Sequence, residues 1–162
     1  MARVHVETWK TTYRGIVPDE HLDRLTVESD LRRGFGSWLG APPPEVAAFV
    51  AEAREPGVVG FAVGGPNRDE DVKFTGELGA IYVLMEHQGQ GLGRELVSHV
   101  ARHLLDQGHT SMLCWVLEAN TSRGFYERLG GKVVRREIRP AAGTRLPEVA
   151  YGWEDLRKLL RG

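Results

Sequence analysis

Three glycines at alternate positions, Gly89, Gly91 and Gly93, overlap the start of an apolar-periodic run that begins at Leu92. The first amides of a helix have no intrahelical partner and sit at the positive end of its dipole. Glycines ahead of them let a phosphate reach bare backbone. Arg94 adds a positive charge beside the helix start. This pattern suits a phosphorylated ligand, a pyrophosphate above all; the plain alternative is a strand-to-helix connection with no ligand. Two better-known phosphate motifs do not fit. Gly89-Gln90-Gly91-Leu92-Gly93 puts the third glycine out of register for the dinucleotide fingerprint G-x-G-x-x-G, and no G-x-x-x-x-G-K-[ST] loop occurs.

The elements around this turn read clearly. Glu77 to Leu84 is apolar and β-prone. From Leu92, apolar residues recur at Leu96, Val97, Val100, Ala101, Leu104 and Leu105, offsets that fit one helix face, and Gly108 stands just past the end. The unit is strand, glycine turn, helix. Upstream, Arg3 to Tyr13 and Glu20 to Leu25 read as helices, with a third from about Val27 to Leu39 that Thr26 can cap, Ser29 being a later candidate. Glu45 to Arg54 and Val58 to Gly65 read as a hairpin around Glu55-Pro56-Gly57. Pro66 to Thr75 is polar, and its run Asp69-Glu70-Asp71 reads as a solvated loop. Downstream come strand Ser111 to Glu118, a short helix Thr121 to Leu129, strand Lys132 to Arg139, a loop, strand Glu148 to Trp153, and a last helical turn within Asp155 to Leu160. Hairpins followed by β-α-β-α-β predict a mixed sheet flanked by helices, the α/β (α+β) class.

The 162 residues suit one domain, 1–162. A net charge of −1 gives no general pull toward nucleic acid or membrane. A single cysteine, Cys114, excludes an internal disulfide and a cysteine-rich zinc site. His5 and His21 have no evident co-ligand, so no metal is expected. The start MARVHVETWK lacks the apolar core of a signal peptide, and no apolar run approaches ~20 residues, which makes a cytoplasmic protein the expectation.

Tyr82-Val83-Leu84 followed by Glu86-His87-Gln88-Gly89-Gln90-Gly91-Leu92-Gly93-Arg94 resembles the acetyl-CoA loop [QR]-x-x-G-x-[GA] of the GNAT N-acetyltransferase superfamily, with Gln88, Gly91 and Gly93 on the motif positions. Asn120-Thr121-Ser122-Arg123-Gly124-Phe125-Tyr126-Glu127-Arg128-Leu129-Gly130 is similar to the family's N-x-x-x-x-F-Y-x-x-x-G segment. The likeness extends over most of the chain and implies a mixed, mostly antiparallel sheet. It also places a strand before the first helix, where this sequence has only Met1 and Ala2. Either that strand is missing or the sequence begins inside its gene.

The resemblance implies an acetyl-CoA-dependent N-acetyltransferase that moves an acetyl group to a primary amine, on a small molecule or a protein, by direct transfer in a ternary complex. The alternatives are a CoA-binding or sensing module without catalysis, and an unrelated nucleotide-phosphate binder. Acetyl-CoA would lie on Gln88, Gly89, Gln90, Gly91, Leu92, Gly93 and Arg94. Val83 would offer backbone groups beside a splayed strand pair. Asn120 would bond the pantetheine arm, or serve as a helix N-cap. A lysine-like amine, with a pKa of ~10.4, must lose a proton, and the leaving thiolate must gain one. Tyr126, a phenol of pKa ~10, is the candidate acid, against a plain packing role. Glu77 is the candidate base, directly or through a water. It is the only acidic residue in its strand's interior and shares parity with Gly79, Ile81 and Val83. Cys114, flanked by Leu113 and Trp115, reads as a buried small hydrophobe rather than a nucleophile. The resemblance places the acceptor near Trp9, Tyr13 and the stretch Arg145 to Tyr151, and dimers are common in the family.

Overall fold

The computed structural model describes residues 1–33, 42–55, 57–69 and 71–160. Three short helices open the chain: α1 (Ala2–Thr12), α2 (Asp19–Arg24) and α3 (Val27–Arg33). α1 starts at Ala2, so the described residues hold no strand ahead of it. Thr26 and Ser29 cap α3 reciprocally: the Ser29 amide donates to Thr26 Oγ1 at 3.1 Å and the Thr26 amide to Ser29 Oγ at 2.9 Å. The expected continuation of this helix to Leu39 lies outside the described residues.

Six strands form one sheet in the order β1-β2-β3-β4-β6-β5. They are β1 (Ala47–Ala53), β2 (Gly57–Pro66), β3 (Gly76–Val83), β4 (Met112–Leu117), β5 (Lys132–Ala141) and β6 (Thr144–Trp153). Every neighbouring pair is antiparallel except β3 and β4, which run parallel. The parallel pair needs a crossover, which α4 (Leu92–Asp106) supplies. A 3-10 turn at Thr121–Arg123 leads into α5 (Gly124–Arg128), and another at Leu156–Leu160 closes the chain.

α4 buries the face its periodicity announced: Leu96, Val97, Val100, Ala101 and Leu104. They pack on Ala62, Leu78, Met112, Val116, Val149 and Tyr151 to make the main core. Each fully buried Leu or Val there contributes about 1.5–3 kcal/mol, far more than the intrinsic helix propensity of a sequence with several β-branched residues. On the opposite face of the sheet, Val4 of α1 meets Val59, Phe61 and Leu84. The sheet is thus sandwiched between α4 and the N-terminal helices.

The last two strands are longer than the sequence suggested. β5 runs on to Ala141 and β6 begins at Thr144, in register Ala141↔Thr144. The two residues between, Ala142 and Gly143, both have positive φ, 52° and 74°, the conformation of a tight hairpin turn. An alanine at the first position hid that turn, because this conformation normally selects Asn or Asp. Among the described residues no helix is long and apolar enough to cross a membrane.

Candidate active site

β3 and β4 stay paired only at Gly76↔Met112 and Glu77↔Leu113, then part. Beyond that fork each strand leaves backbone uncommitted toward the other. The opening is reinforced in β3 itself. Val63 of β2 pairs with Ala80, but Gly64 pairs with Leu78, so Gly79 is an extra, bulged residue. A bulge reverses alternation. Leu78, Ile81 and Val83 therefore face α4 and the main core, whereas Ala80 and Tyr82 face α1. Glu77, adjacent to Leu78, belongs with Ala80 and Tyr82. This corrects the strict alternation that grouped Glu77 with Ile81 and Val83, and it turns the carboxylate into the fork on the α1 side.

Two cavities meet at the fork. The first, about 380 Å³, runs from the glycine turn to α5 and includes Val83, Gln88, Gly89, Gly91, Gly93, Arg94 and Asn120 among its walls. Its floor is preshaped. Gly89 and Gly91 hold φ of 73° and 87°, a region in which other L residues are strained. Gly93 lies so close to α5 that a Cβ would sit 3.0 Å from the Phe125 ring. The remaining residues of the turn fasten it. Gln88 Nε2 donates to the Val83 carbonyl at 2.9 Å and Gln90 Nε2 to the Glu86 carbonyl at 3.1 Å. The Leu92 side chain packs into the α1-side core. Gln90 and Leu92 thus shape the turn rather than line the cavity. The Val83 carbonyl is already engaged by Gln88. Asn120 is 7% exposed and committed at both ends. Its Oδ1 accepts from the Ser122 amide at 2.8 Å, which caps the 3-10 turn, and its Nδ2 donates to the Tyr13 hydroxyl at 3.1 Å. The capping role is therefore realised, with Tyr13 as a second partner.

The second cavity, about 410 Å³, lies on the α1 side and is walled by Trp9, Tyr13, Glu77, Trp115, Arg139 and Glu148, with Arg68 at its edge. Trp9 Nε1 donates to the Tyr82 hydroxyl at 3.1 Å, and the Trp9 and Tyr13 rings stand 4.8 Å apart. Burial pushes the Tyr13 hydroxyl up to about 12. Glu77 is 4% exposed. Arg68 Nη2 lies 2.6 Å from its Oε1, while Arg68 Nε and the Arg68 amide reach Oε2 at 3.0 and 3.1 Å. Glu77 is thus held inside the fork rather than solvated at a sheet edge.

Tyr13, Ile81, Tyr82 and Tyr126 border both cavities. Tyr126 is buried on α5, with its ring stacked on Tyr151 at 5.4 Å. Tyr126 and Cys114 both line the second cavity. Burial drives both the phenol and the thiol well above their ordinary values, so Tyr126 stays protonated and Cys114 remains a thiol rather than a thiolate nucleophile. A protonated donor stands where the two cavities join.

The FR47-like protein family matches residues 71–139, from the loop before β3 into β5. Over 159 residues the chain is 40% identical to YuaI, an uncharacterised N-acetyltransferase of Bacillus subtilis, covering 98% of this chain and 88% of the relative. The chain belongs to the GNAT superfamily of N-acetyltransferases. The PaiA N-acetyltransferase of Thermoplasma acidophilum, solved with coenzyme A, superposes with a TM-score of 0.65 at 20% identity, over 93% of this chain and 88% of that one. YncA of Salmonella typhimurium, solved with acetyl-CoA, gives 0.63 at 23% identity over 96% and 87%. These two share the fold, and the GNAT chain here is an acyltransferase by family.

The GNAT site contains groups the sequence reading passed over. Asp69 is exposed, as a solvated loop would have it, but it is also engaged: it accepts from Trp115 Nε1 at 3.0 Å and from Arg139 Nη2 at 3.1 Å. Asp71 is the enclosed one, paired with Arg135 and accepting from the Lys73 and Phe74 amides; Glu70 lies outside the described residues. Trp115, Arg139 and Glu148 share the sheet face of Leu117, and alternation along β4 was the available signal for the first of them. Among the described residues no group of three or more His, Cys, Asp and Glu could hold a metal ion.

Proposed function

We propose that this GNAT enzyme transfers the acetyl group of acetyl-CoA directly to a primary amine, with both molecules bound at once. One observation carries the reading: the cavity beneath the glycine turn and the aromatic, acid-lined cavity beneath α1 are both bordered by Tyr126. Direct transfer needs two ligands to meet at one proton donor, and this arrangement accommodates that.

The chain's residues fit the cofactor. The amides from Gly89 to Arg94 lie at the positive end of α4 and suit a diphosphate. Arg94, on the cavity rim, adds positive charge. The parted strands offer backbone beside Val83 for an extended arm. Acetyl-CoA would bring the thioester carbonyl and a sulfur leaving group. Tyr126 then supplies the proton that the sulfur needs, which its raised pKa keeps in place until the thiolate forms. Trp9 and Tyr13 form the apolar wall of the acceptor cavity. Glu77, its carboxylate oxygens held by Arg68, lines the same cavity. Relatives solved with CoA or acetyl-CoA support the cofactor assignment.

The test is thiol release from acetyl-CoA with four amines: spermidine, kanamycin, free alanine and a peptide with an N-terminal alanine. At least one should release CoA thiol. Acetyl-CoA at 100 times its Kd should add about 2.7 kcal/mol of stability, roughly 5–11 °C in Tm for a chain of this length. Stabilisation by acetyl-CoA with no thiol released from any amine would overturn the transfer. Stronger stabilisation by ATP or NAD would overturn the cofactor.

A further inference from the structure

Four charged side chains line the acceptor cavity: Arg68, Glu77, Arg139 and Glu148. Arg68 is spent on Glu77, occupying both carboxylate oxygens. Arg139 is spent on Asp69. Its Nη1 and Nη2 each lie 3.1 Å from an Asp69 oxygen, and its guanidinium stacks 4.2 Å over the Trp115 ring, whose Nε1 holds the same aspartate. Glu148 gets what is left, a single approach from Arg139 Nε at 3.5 Å. Yet its side chain is only 15% exposed. The cavity therefore contains one half-buried carboxylate that only shares a guanidinium committed elsewhere, and a bound cation would complete its pairing.

We propose that Glu148 receives the ammonium group of the acceptor and removes its proton, a catalytic role that rests on the acetyl-transfer reading above. The N–H bond breaks, the proton passes to a Glu148 carboxylate oxygen, and the electron pair stays on nitrogen, ready for the thioester carbonyl. Glu148 returns the proton to water through the open cavity. Glu77 suits this task less, because accepting a proton would cost it the hydrogen bonds from Arg68. Burial raises the pKa of Glu148, and Asp69 adds to the rise while Arg139 and Arg68 oppose it. A carboxylate moved upward is a stronger base. The titratable and charged groups around it are Arg139 and Glu137 on β5, Arg68 and Asp69 on the loop before β3, Glu77 on β3, Cys114 on β4 and Tyr13 at the end of α1.

The experiment measures kcat/KM from pH 5 to 10 for the wild type, Glu148→Gln and Glu77→Gln, with acetyl-CoA and the best of the four amines above. The wild type should give a bell: a rise as Glu148 ionises, and a fall as the free amine loses the proton that Glu148 takes. Glu148→Gln should lose about 100-fold or more near pH 7. Its remaining rate should climb toward the pKa of the amine, since only amine that is already neutral can react. Glu77→Gln should keep the bell. An unchanged acetyl-CoA thermal shift in Glu148→Gln shows that fold and cofactor cavity survive. A Glu148→Gln rate near that of the wild type, or a bell that survives in it, overturns the assignment. Should the wild type release no thiol, the transfer reading fails and Glu148 is judged by binding. 1,4-Diaminobutane should then raise the Tm of the wild type and not of Glu148→Gln, and equal shifts in both overturn the ammonium site.

Discussion

The guanidinium of Arg68 grips both carboxylate oxygens of Glu77, with Nη2 2.6 Å from Oε1 and Nε 3.0 Å from Oε2. The pair is lopsided: the Glu77 side chain is 5% exposed, that of Arg68 74%. An exposed cation thus caps a buried anion at the strand fork.

Arg68→Met should therefore destabilise the protein although it alters an exposed side chain. It leaves Glu77 with only the Arg68 amide as partner, and stranding a buried charged acceptor costs about 1–3 kcal/mol or more. At roughly 2–4 °C per kcal/mol, the melting temperature should drop by several degrees. Adding Glu77→Gln should recover part of the loss, because the stranded charge is then gone. Additive losses in this double-mutant cycle would show that the pair is not coupled.

Tyr126→Phe separates the proposed proton donor from its ring. The phenyl group keeps the stack on Tyr151 and the edge contact with Phe125, and loses only the hydroxyl. Turnover should fall about 100-fold or more, while the acetyl-CoA thermal shift stays as in the wild type. Wild-type turnover in this variant would leave Tyr126 as packing alone.

Gly91→Ala tests the floor of the proposed cofactor cavity. A Cβ at this position meets nothing within 4 Å, so the substitution acts only through the backbone, whose φ is 87°. Holding alanine in a left-handed conformation costs about 1–2 kcal/mol. If the turn relaxes to avoid that cost, the amides ahead of α4 lose their aim. The protein should melt a few degrees lower and show a smaller acetyl-CoA shift. An undiminished shift would move the diphosphate away from this turn.

Much of this was legible in the chain because the signals were local. α4 declared itself by periodicity and Gly108, and the turn by its alternate glycines. What stayed hidden came from contacts distant in sequence or from backbone events without a side-chain signature. Asp69 meets Trp115 and Arg139 across 46 and 70 residues, so its short acidic run resembled a solvated loop. The bulge at Gly79 changes which face Glu77 occupies, and a glycine within a strand does not say whether it is bulged or merely small. Glu148 fell inside the stretch assigned to the acceptor pocket, but its shortage of cations depends on where Arg139 is already committed.

The N-terminal helices carry a pH dependence of their own. His5 Nδ1 lies 2.9 Å from Asp30 Oδ1, joining α1 to α3, with the rings of Trp9 and Tyr82 against the imidazole at 5.4 and 5.0 Å. Desolvation lowers the His5 pKa, and His21 on α2 adds to the fall; the attraction of Asp30 offsets only part of it. The folded protein therefore binds a proton at His5 less readily than the unfolded chain, whose histidines titrate near ~6.5. The unfolded state takes up more protons as pH falls through that value, so the contribution of neutral His5 is present above it and is lost on acidification toward the lower folded value. Between pH 7.5 and pH 5 the Tm should fall, and the fall should be smaller in His5→Asn, which cannot titrate. Parallel curves for the two proteins over that range would show that His5 is not the group responsible.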